Sequence, residues 1–158
     1  MADTPSPLVQ ALKNVSLDVR KGSRTLLLGA NGAGKTTLMR IIAGRHMIPR
    51  EAVTVLGRPA FHDTSLNHDV AFLSANAWMR DVAFTGYGIA LQADIPCRQM
   101  LWSITDVDPV RRDKIIKVMD IDLNWRIHRL SDGQRRRLQI AMGLMKEFKV
   151  LLLDEVSR

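Results

Sequence analysis

The chain has 158 residues, of which 46% are hydrophobic and 25% are charged, a balance typical of a globular domain in water. This length suits one domain with one core, and no apolar run approaches the roughly 20 residues that span a bilayer. The formal net charge of +7 favours an anionic partner such as a nucleotide, a nucleic acid or a membrane surface.

The sequence favours the cytoplasm as the location of the protein. Its first ten residues, MADTPSPLVQ, lack the basic and apolar segments of a secretory signal. Cys97 is the single cysteine of the sequence, so an internal disulfide is excluded, which suits a reducing compartment. We therefore expect a cytoplasmic protein.

Short basic clusters supply much of the positive charge. Arg111–Arg112 and Arg135–Arg137 lie in segments with helical periodicity, where such clusters most often form a solvated helix face. The sequence has no basic stretch interleaved with aromatic residues of the kind found in RNA-binding modules. Nucleic-acid binding is therefore a minor alternative.

The first predicted strand, Thr25–Leu28, leads directly into the segment GANGAGKTT, residues 29–37. This segment fits the phosphate-binding pattern G-x-x-x-x-G-K-[ST]. Glycines let the backbone turn tightly and aim its N–H groups at phosphate oxygens, and the following helix adds the positive end of its dipole. A glycine-rich turn that binds nothing is the alternative, but the strand before and the helix after favour the phosphate-binding loop.

The pattern assigns roles to individual residues of this loop. Lys35 is predicted to reach the β- and γ-phosphates, the Thr36 hydroxyl to bind Mg²⁺, and Thr37 to hydrogen-bond an outer phosphate. We expect the loop to bind a nucleoside triphosphate through Gly29, Asn31, Gly32, Ala33, Gly34, Lys35, Thr36 and Thr37.

The remaining predicted elements alternate between helices and strands. In chain order they are a helix over Lys35–Ala43 stopped by Gly44, a strand over Ala52–Leu56, a loop over Gly57–Asn67, a strand over Val70–Leu73, a helix over Pro109–Asp120 with Asp108 as N-cap, a helix from Ser131 to Lys146, and a strand over Val150–Leu153. The strands are apolar on consecutive residues, as expected of strands covered on both faces. This order predicts an α/β core with a parallel sheet.

The segment LSDGQ, Leu130–Gln134, together with the phosphate-binding loop, resembles the ATP-binding cassette (ABC) family, whose signature is L-S-G-G-Q. Asp154 in VLLLDE follows Ser131 by 23 residues, the spacing that this family shows between its signature and its Walker B strand. The segments GRPAFHDT, Gly57–Thr64, and WRIHRLSDGQRRRLQIAMGL, Trp125–Leu144, are similar to the soluble cassette proteins of fungi and plants, subfamily I in plants.

The resemblance implies a fold and a domain organisation. It implies a P-loop NTPase core of the α/β class, with a mixed or parallel sheet and a helical signature subdomain, incomplete at the C-terminus. The core would comprise about residues 1–75 and 148–158, and the helical region about residues 93–147.

The signature implies a dimer in which each subunit closes over ATP held by the other. Ser131, Gly133 and Gln134 match the positions that contact the partner's γ-phosphate, and Asp132 replaces the usual glycine. A carboxylate there repels a triphosphate unless its side chain points away. Ser131 and Gln134 also form a capping box, S-x-x-Q, so a purely structural helix cap is the alternative.

The acidic pair implies catalysis of phosphoryl transfer. Asp154 matches the Walker B residue that holds Mg²⁺, and Glu155 matches the general base that polarises the attacking water. Two acids that merely close a strand are the alternative. Gln92 is the candidate glutamine of the Q-loop, which contacts Mg²⁺, and a surface-loop glutamine is its alternative.

Two family features are missing from the sequence. Residues 1–24 contain no Phe, Tyr or Trp to stack on adenine, and no D-loop or switch histidine follows Arg158. We therefore expect a truncated or partial gene product.

Three functions are compatible with these motifs. The first is a soluble ATPase that binds Mg²⁺-ATP, dimerises on it and has protein partners in a regulatory complex, such as the deadenylase complex linked to the fungal member. The second is the nucleotide-binding subunit of a membrane transporter. The third is a non-hydrolysing, ATP-gated interaction module, which the missing histidine motivates.

Overall fold

The structure, a computed structural model, describes residues 12–74 and 94–155. The chain divides into two compact units, Met1–Thr64 and Ser65–Arg158. In the described part the elements are α1 (Lys35–Ile42), β1 (Thr54–Val55), β2 (Arg58–Pro59), a 3₁₀ helix (Thr64–His68), β3 (Val70–Ser74), α2 (Cys97–Trp102), α3 (Pro109–Val118), a 3₁₀ helix (Ile127–Arg129), α4 (Asp132–Leu144) and β4 (Val150–Asp154). No helix within the described ranges is long and apolar enough to cross a membrane.

Helix α1 of the first unit ends as the sequence predicts. Gly44 follows the helix in the left-handed conformation, with φ of 68°. The N–H groups of Gly44 and Arg45 donate to the carbonyls of Ile41 and Arg40, at 3.0 and 2.8 Å. This is the Schellman arrangement, which satisfies carbonyls left open at the last turn. The predicted helix and its glycine stop are confirmed.

The hairpin of β1 and β2 corrects two predictions. The predicted buried strand Ala52–Leu56 contains only the two-residue β1, which pairs antiparallel with β2, and the predicted loop Gly57–Asn67 contains both β2 and a 3₁₀ helix. Leu56 occupies the turn with φ of 52° and is 46% exposed, while Val55 is buried. A short antiparallel hairpin buries alternate residues, so the assumption of a strand covered on both faces is wrong here.

The predicted strand Thr25–Leu28 is also wrong. These residues adopt no regular secondary structure, and Leu26 and Leu28 are 79% and 80% exposed. A β-strand exists through hydrogen bonds to a neighbouring strand. Within residues 12–74 and 94–155 no strand pairs with this stretch, so apolar sequence alone does not make it a strand.

The second unit contains a parallel pair of strands, which confirms the predicted parallel sheet. Strands β3 and β4 pair in register from Val70 opposite Val150 to Ser74 opposite Asp154. The start of the pair is fixed by Asp69. Its carbonyl accepts the N–H groups of Lys149 and Val150, at 2.8 and 3.0 Å, and its carboxylate forms an ion pair of 2.9 Å with the Lys149 ammonium.

The helices of the second unit share one apolar core. Helix α4 contributes the buried face that its periodicity predicts. The buried members of this core are Cys97, Met100, Leu101, Ile121, Ile127, Leu130, Leu138, Ala141 and Met145. Helix α4 also lies close to β3, because Gly143 faces the side chain of Leu73 with no room for a β-carbon.

The sequence predicts the start of helix α3 but not the start of helix α2. Helix α3 is capped as predicted, since the Asp108 carboxylate accepts from the N–H groups of Val110 and Arg111, each at 3.2 Å. Helix α2 was not predicted, and no side chain among residues 12–74 and 94–155 caps it. The N–H groups of Cys97 and Arg98 instead donate to carbonyls of residues 125 and 123, at 2.8 and 3.0 Å.

We expect Gly44→Ala to destabilise the first unit more than Gly57→Ala. Both glycines have positive φ, so each alanine carries a backbone cost of roughly 1–2 kcal/mol. A β-carbon at Gly44 would meet the Ala60 carbonyl oxygen, whereas a β-carbon at Gly57 would meet no atom of the described residues within 4 Å. This overlap should lower the free energy of unfolding of Gly44→Ala by about a further 1–3 kcal/mol. Urea unfolding of the two variants measures the difference. Equal losses would show that the Ala60 backbone yields.

Candidate functional site

The predicted phosphate-binding loop of the first unit, residues 29–37, turns at two glycines. Gly32 and Gly34 have φ of 82° and 88°, conformations that favour glycine. Gly34 is the N-cap of α1. No side chain in the described part of the chain caps this helix, and its first turn contains no acidic residue. The positive end of the helix dipole is therefore not neutralised by an acidic residue of its own first turn.

Lys35 curls back over this loop. Its ammonium donates to the carbonyl oxygens of Gly29 and Ala30, both at 2.8 Å. The Ala33 N–H donates to the Ala30 carbonyl at 3.2 Å, which closes the turn beneath the ammonium. The geometry thus gathers a cation and a helix N-terminus within one loop, an arrangement suited to an anion.

The other predicted residues of the loop lie on the same turn and helix start. Asn31 and Ala33 are exposed on the turn, and the first-turn residues Thr36 and Thr37 are half-buried. The structure therefore brings together within one unit all eight residues predicted for the loop.

The acidic pair lies at the carboxyl end of β4 in the second unit. Asp154 is 5% exposed, and its Oδ2 accepts a hydrogen bond of 3.3 Å from the hydroxyl of Ser74, which is 2% exposed. Glu155 is exposed and has φ of 52°, so the strand ends there in a left-handed turn. The neighbouring carboxylates therefore occupy different environments, one enclosed and one open to solvent.

The signature residues form the start of α4. Ser131 and Gln134 make the predicted capping box, in which the Ser131 Oγ accepts from the Gln134 N–H at 3.3 Å and the Gln134 Oε1 accepts from the Ser131 N–H at 2.9 Å. Asp132 is fully exposed and lies 3.5 Å from an Arg135 nitrogen. Among the described residues, none outside the helix places an atom within 4 Å of a β-carbon at Gly133, so this side of the helix start has open space.

The arginines after the signature do more than form a solvated face. Arg136 donates to the Gln139 side-chain oxygen at 2.9 Å and to the Glu155 carbonyl at 2.6 Å. Arg137 pairs with the Asp120 carboxylate at 2.7 Å. The prediction that Arg135–Arg137 form only a solvated helix face is therefore incomplete. Their long side chains also reach backbone carbonyls that helix and strand ends leave without a partner in the ladder.

The arginines of α3 behave similarly. Arg111 donates to the Leu144 carbonyl at 3.0 Å, and its guanidinium lies 5.5 Å from the Phe148 ring centroid. Arg112 lies 5.0 Å from the Trp102 ring centroid. These contacts hold α3 to its neighbours and leave less of the basic cluster available for nucleic acid.

The described part of the chain contains no cluster of side chains that could bind a metal ion by itself. Residues 12–74 and 94–155 contain no group of three or more His, Cys, Asp or Glu side chains that could hold a metal ion. Mg²⁺ does not require such a group, because it is commonly bound by one or two carboxylates together with substrate phosphates. Gln92, the predicted Q-loop residue, lies outside the described residues.

Comparison with known proteins decides the family. The sequence model of the ABC transporter family matches residues 12–158. The chain belongs to the ABC transporter family. It is 51% identical to ABC transporter I family member 20 of Arabidopsis thaliana over 92% of this chain and 45% of that protein. It is 36% identical to CCR4-associated factor 16 of Saccharomyces cerevisiae over 91% of this chain and 52% of that protein.

A solved structure shows that this ABC family member shares the fold of another. A putative ABC transporter (ATP-binding protein) from Pyrococcus furiosus matches 81% of this chain and 60% of its own, with a TM-score of 0.60 and 22% identity. The α/β class predicted from the sequence is confirmed. The chain spans about half the length of the two curated relatives named above.

Sequence reasoning missed three residues around the Asp154 carboxylate. Ser74, Arg136 and Gln139 contact Asp154, the Glu155 backbone or one another. The one signal in the sequence is the polar ending of an apolar strand, VAFLS, and this signal does not indicate which partner the serine meets.

We expect Ser131→Ala to lower the free energy of unfolding by about 1 kcal/mol, because the Gln134 N–H loses its acceptor. Ser131→Asp is the matched variant, since aspartate is also a good N-cap and should restore stability. Urea unfolding of the three proteins measures both effects. A cap that contributes nothing would leave all three equally stable.

Proposed function

We propose that this ABC family chain binds Mg²⁺-ATP through residues 29–37 and takes part in its hydrolysis. The observation that carries the proposal is the loop geometry, in which the Lys35 ammonium and the N-terminus of α1 occupy one turn. The triphosphate supplies the negative charge that this arrangement favours. Membership of the ABC transporter family supports ATP as the nucleotide.

We propose that Asp154 of the second unit holds Mg²⁺ together with the ATP phosphates. The family resemblance also assigns Mg²⁺ contacts to Thr36 and Gln92, and these assignments stay predictions from the sequence. The chemistry of the donor set fits, because carboxylate, hydroxyl and amide oxygens are hard ligands of the kind that Mg²⁺ prefers. Bound there, the ion would neutralise charge that develops on the phosphates. The buried Asp154 carboxylate, held by the Ser74 hydroxyl, is the observation on this structure that supports the fit.

Glu155 is the proposed catalytic residue. Its position directly after the buried aspartate and its exposure suit a general base that orients a water molecule and accepts its proton. Most of the rate would come from positioning and charge stabilisation, as in other phosphoryl transfers.

The signature residues Ser131, Asp132, Gly133 and Gln134 are proposed to contact ATP held by a second copy of the chain. The open helix start at Gly133 supports this, because it leaves room for a phosphate group. The Asp132 carboxylate lies close to Arg135, which reduces the repulsion expected from the departure from glycine. A cytoplasmic homodimer with protein partners in a regulatory complex is the corresponding assembly.

The transporter-subunit alternative draws support from the family and relative names, which include the word transporter. Co-purification of a membrane-embedded partner would favour it, whereas a homodimer in the cytosolic fraction would favour the soluble assembly.

Lys35→Ala is expected to abolish tight ATP binding, with the Kd raised about 100-fold or more. The variant loses a charged donor to the phosphates, and charge-assisted hydrogen bonds contribute about 1.5–3 kcal/mol each. Titration with a fluorescent ATP analogue measures the loss, and Lys21→Ala, which removes an exposed lysine outside the loop, is the control. Retained tight binding by Lys35→Ala would refute the assignment of the loop.

Glu155→Gln is expected to lower kcat for ATP hydrolysis by about 10²- to 10⁴-fold while leaving the Kd for ATP unchanged, because only the general base is lost. Steady-state phosphate release measures the rate, with Glu147→Gln, another exposed glutamate, as the control. Equal and negligible rates for the parent and Glu155→Gln would instead favour the non-hydrolysing, ATP-gated module.

A further inference from the structure

Two buried polar side chains meet at the carboxyl ends of the paired strands of the second unit. Ser74 and Asp154 are opposite each other at the carboxyl ends of the paired strands, and both are almost fully buried. Burying a carboxylate costs free energy unless hydrogen bonds compensate. The Ser74 hydroxyl provides one, at 3.3 Å to Oδ2.

Helix α4 in turn holds Ser74. The Gln139 Nε2 donates to the Ser74 carbonyl at 3.1 Å, and the Gln139 Oε1 accepts from Arg136 at 2.9 Å. Both ends of the amide are therefore engaged. Arg136 also donates to the Glu155 carbonyl at 2.6 Å. Two side chains three residues apart on one helix face thus bind the backbone at the ends of both strands.

The arrangement is built around the carboxylate rather than around packing alone. The neighbouring buried residues of β3, Phe72 and Leu73, are apolar, whereas Ser74 introduces a hydroxyl at the one position opposite Asp154. Hydrogen bonds to a metal-ligating carboxylate orient it, and loss of such a partner typically lowers metal affinity 10- to 100-fold. Because the same helix begins with Ser131–Gln134, one rigid element joins the signature to this carboxylate.

We propose that Ser74 and Gln139 are positioning residues that orient the Asp154 carboxylate and thereby set the Mg²⁺ dependence of ATP binding. This proposal rests on the proposed function, in which Asp154 holds Mg²⁺. Ser74 acts on the carboxylate directly, and Gln139 acts through the Ser74 backbone.

The test compares ATP binding with and without the divalent ion, using the full chain. Ser74→Ala removes the hydroxyl, Ser74→Thr keeps it, and Gln139→Met keeps the side-chain length but removes the amide. Ser103→Ala is the matched control, since its hydroxyl binds the Met100 carbonyl in α2. For each variant, a fluorescent ATP analogue is titrated in EDTA and in graded Mg²⁺, and thermal unfolding verifies folding.

The expected result separates positioning from stability. Ser74→Ala and Gln139→Met should raise the Mg²⁺ concentration for half-maximal enhancement about 10-fold. Their Kd for the analogue in EDTA should stay within about twofold of the parent, because residues 29–37 are unchanged. Ser74→Thr and Ser103→Ala should match the parent. Should Ser74→Ala fail to fold, Gln139→Met and Ser74→Thr carry the comparison.

The outcomes distinguish this proposal from the proposed function. Folded Ser74→Ala and Gln139→Met proteins with the parent's Mg²⁺ dependence would overturn the positioning role and leave Mg²⁺-ATP binding intact. A parent chain whose analogue binding is the same in EDTA and in Mg²⁺ would overturn the Mg²⁺ role of Asp154 and the positioning role with it. A parent chain that does not bind the analogue at all would overturn the proposed function itself.

Discussion

The parallel pairing of β3 with β4 is the constraint on which the candidate chemistry of the second unit depends. Its register places Ser74 opposite Asp154, and a shift by one residue would turn every side chain to the other face of the pair. The ion pair and backbone contacts of Asp69 with Lys149 fix the opposite end. Because both ends of the strand pair are held, the Asp154 carboxylate has a defined position. Its hydrogen bond with the Ser74 hydroxyl follows from the strand register.

Helix α4 meets three demands with one sequence. Its first turn is capped by Ser131 and Gln134, and its apolar face fills the core with Leu138 and Ala141. Its Arg136 and Gln139 side chains reach the strand ends. The close approach that Gly143 permits brings those polar side chains within range of the strands. Because the residues of α4 cap the helix, fill the core and bind the strand ends, few of its positions tolerate substitution without affecting another of these roles.

The sequence predicts those elements whose signals are local. Helix α1 after the glycine-rich loop, the capped helices and the two paired strands carry cap or apolar patterns that require no knowledge of neighbours. The predictions for Thr25–Leu28 and α2 were wrong for different reasons. An apolar run such as Thr25–Leu28 does not reveal whether another strand pairs with it. Helix α2 was missed because its first N–H groups donate to carbonyls that lie far away in the sequence. Ser74 and Gln139 were missed because partners 80 and 65 residues away leave no spacing signature.

The buried cysteine has a practical consequence for studies of this chain. Cys97 is fully buried in the helical core, and desolvation, followed by the charge of Asp122, raises the pKa of its thiol to about 11. A thiol with such a pKa stays protonated at neutral pH and reacts slowly with alkylating reagents. Since the sequence has no other cysteine, the rate of thiol modification reports how often the helical core opens.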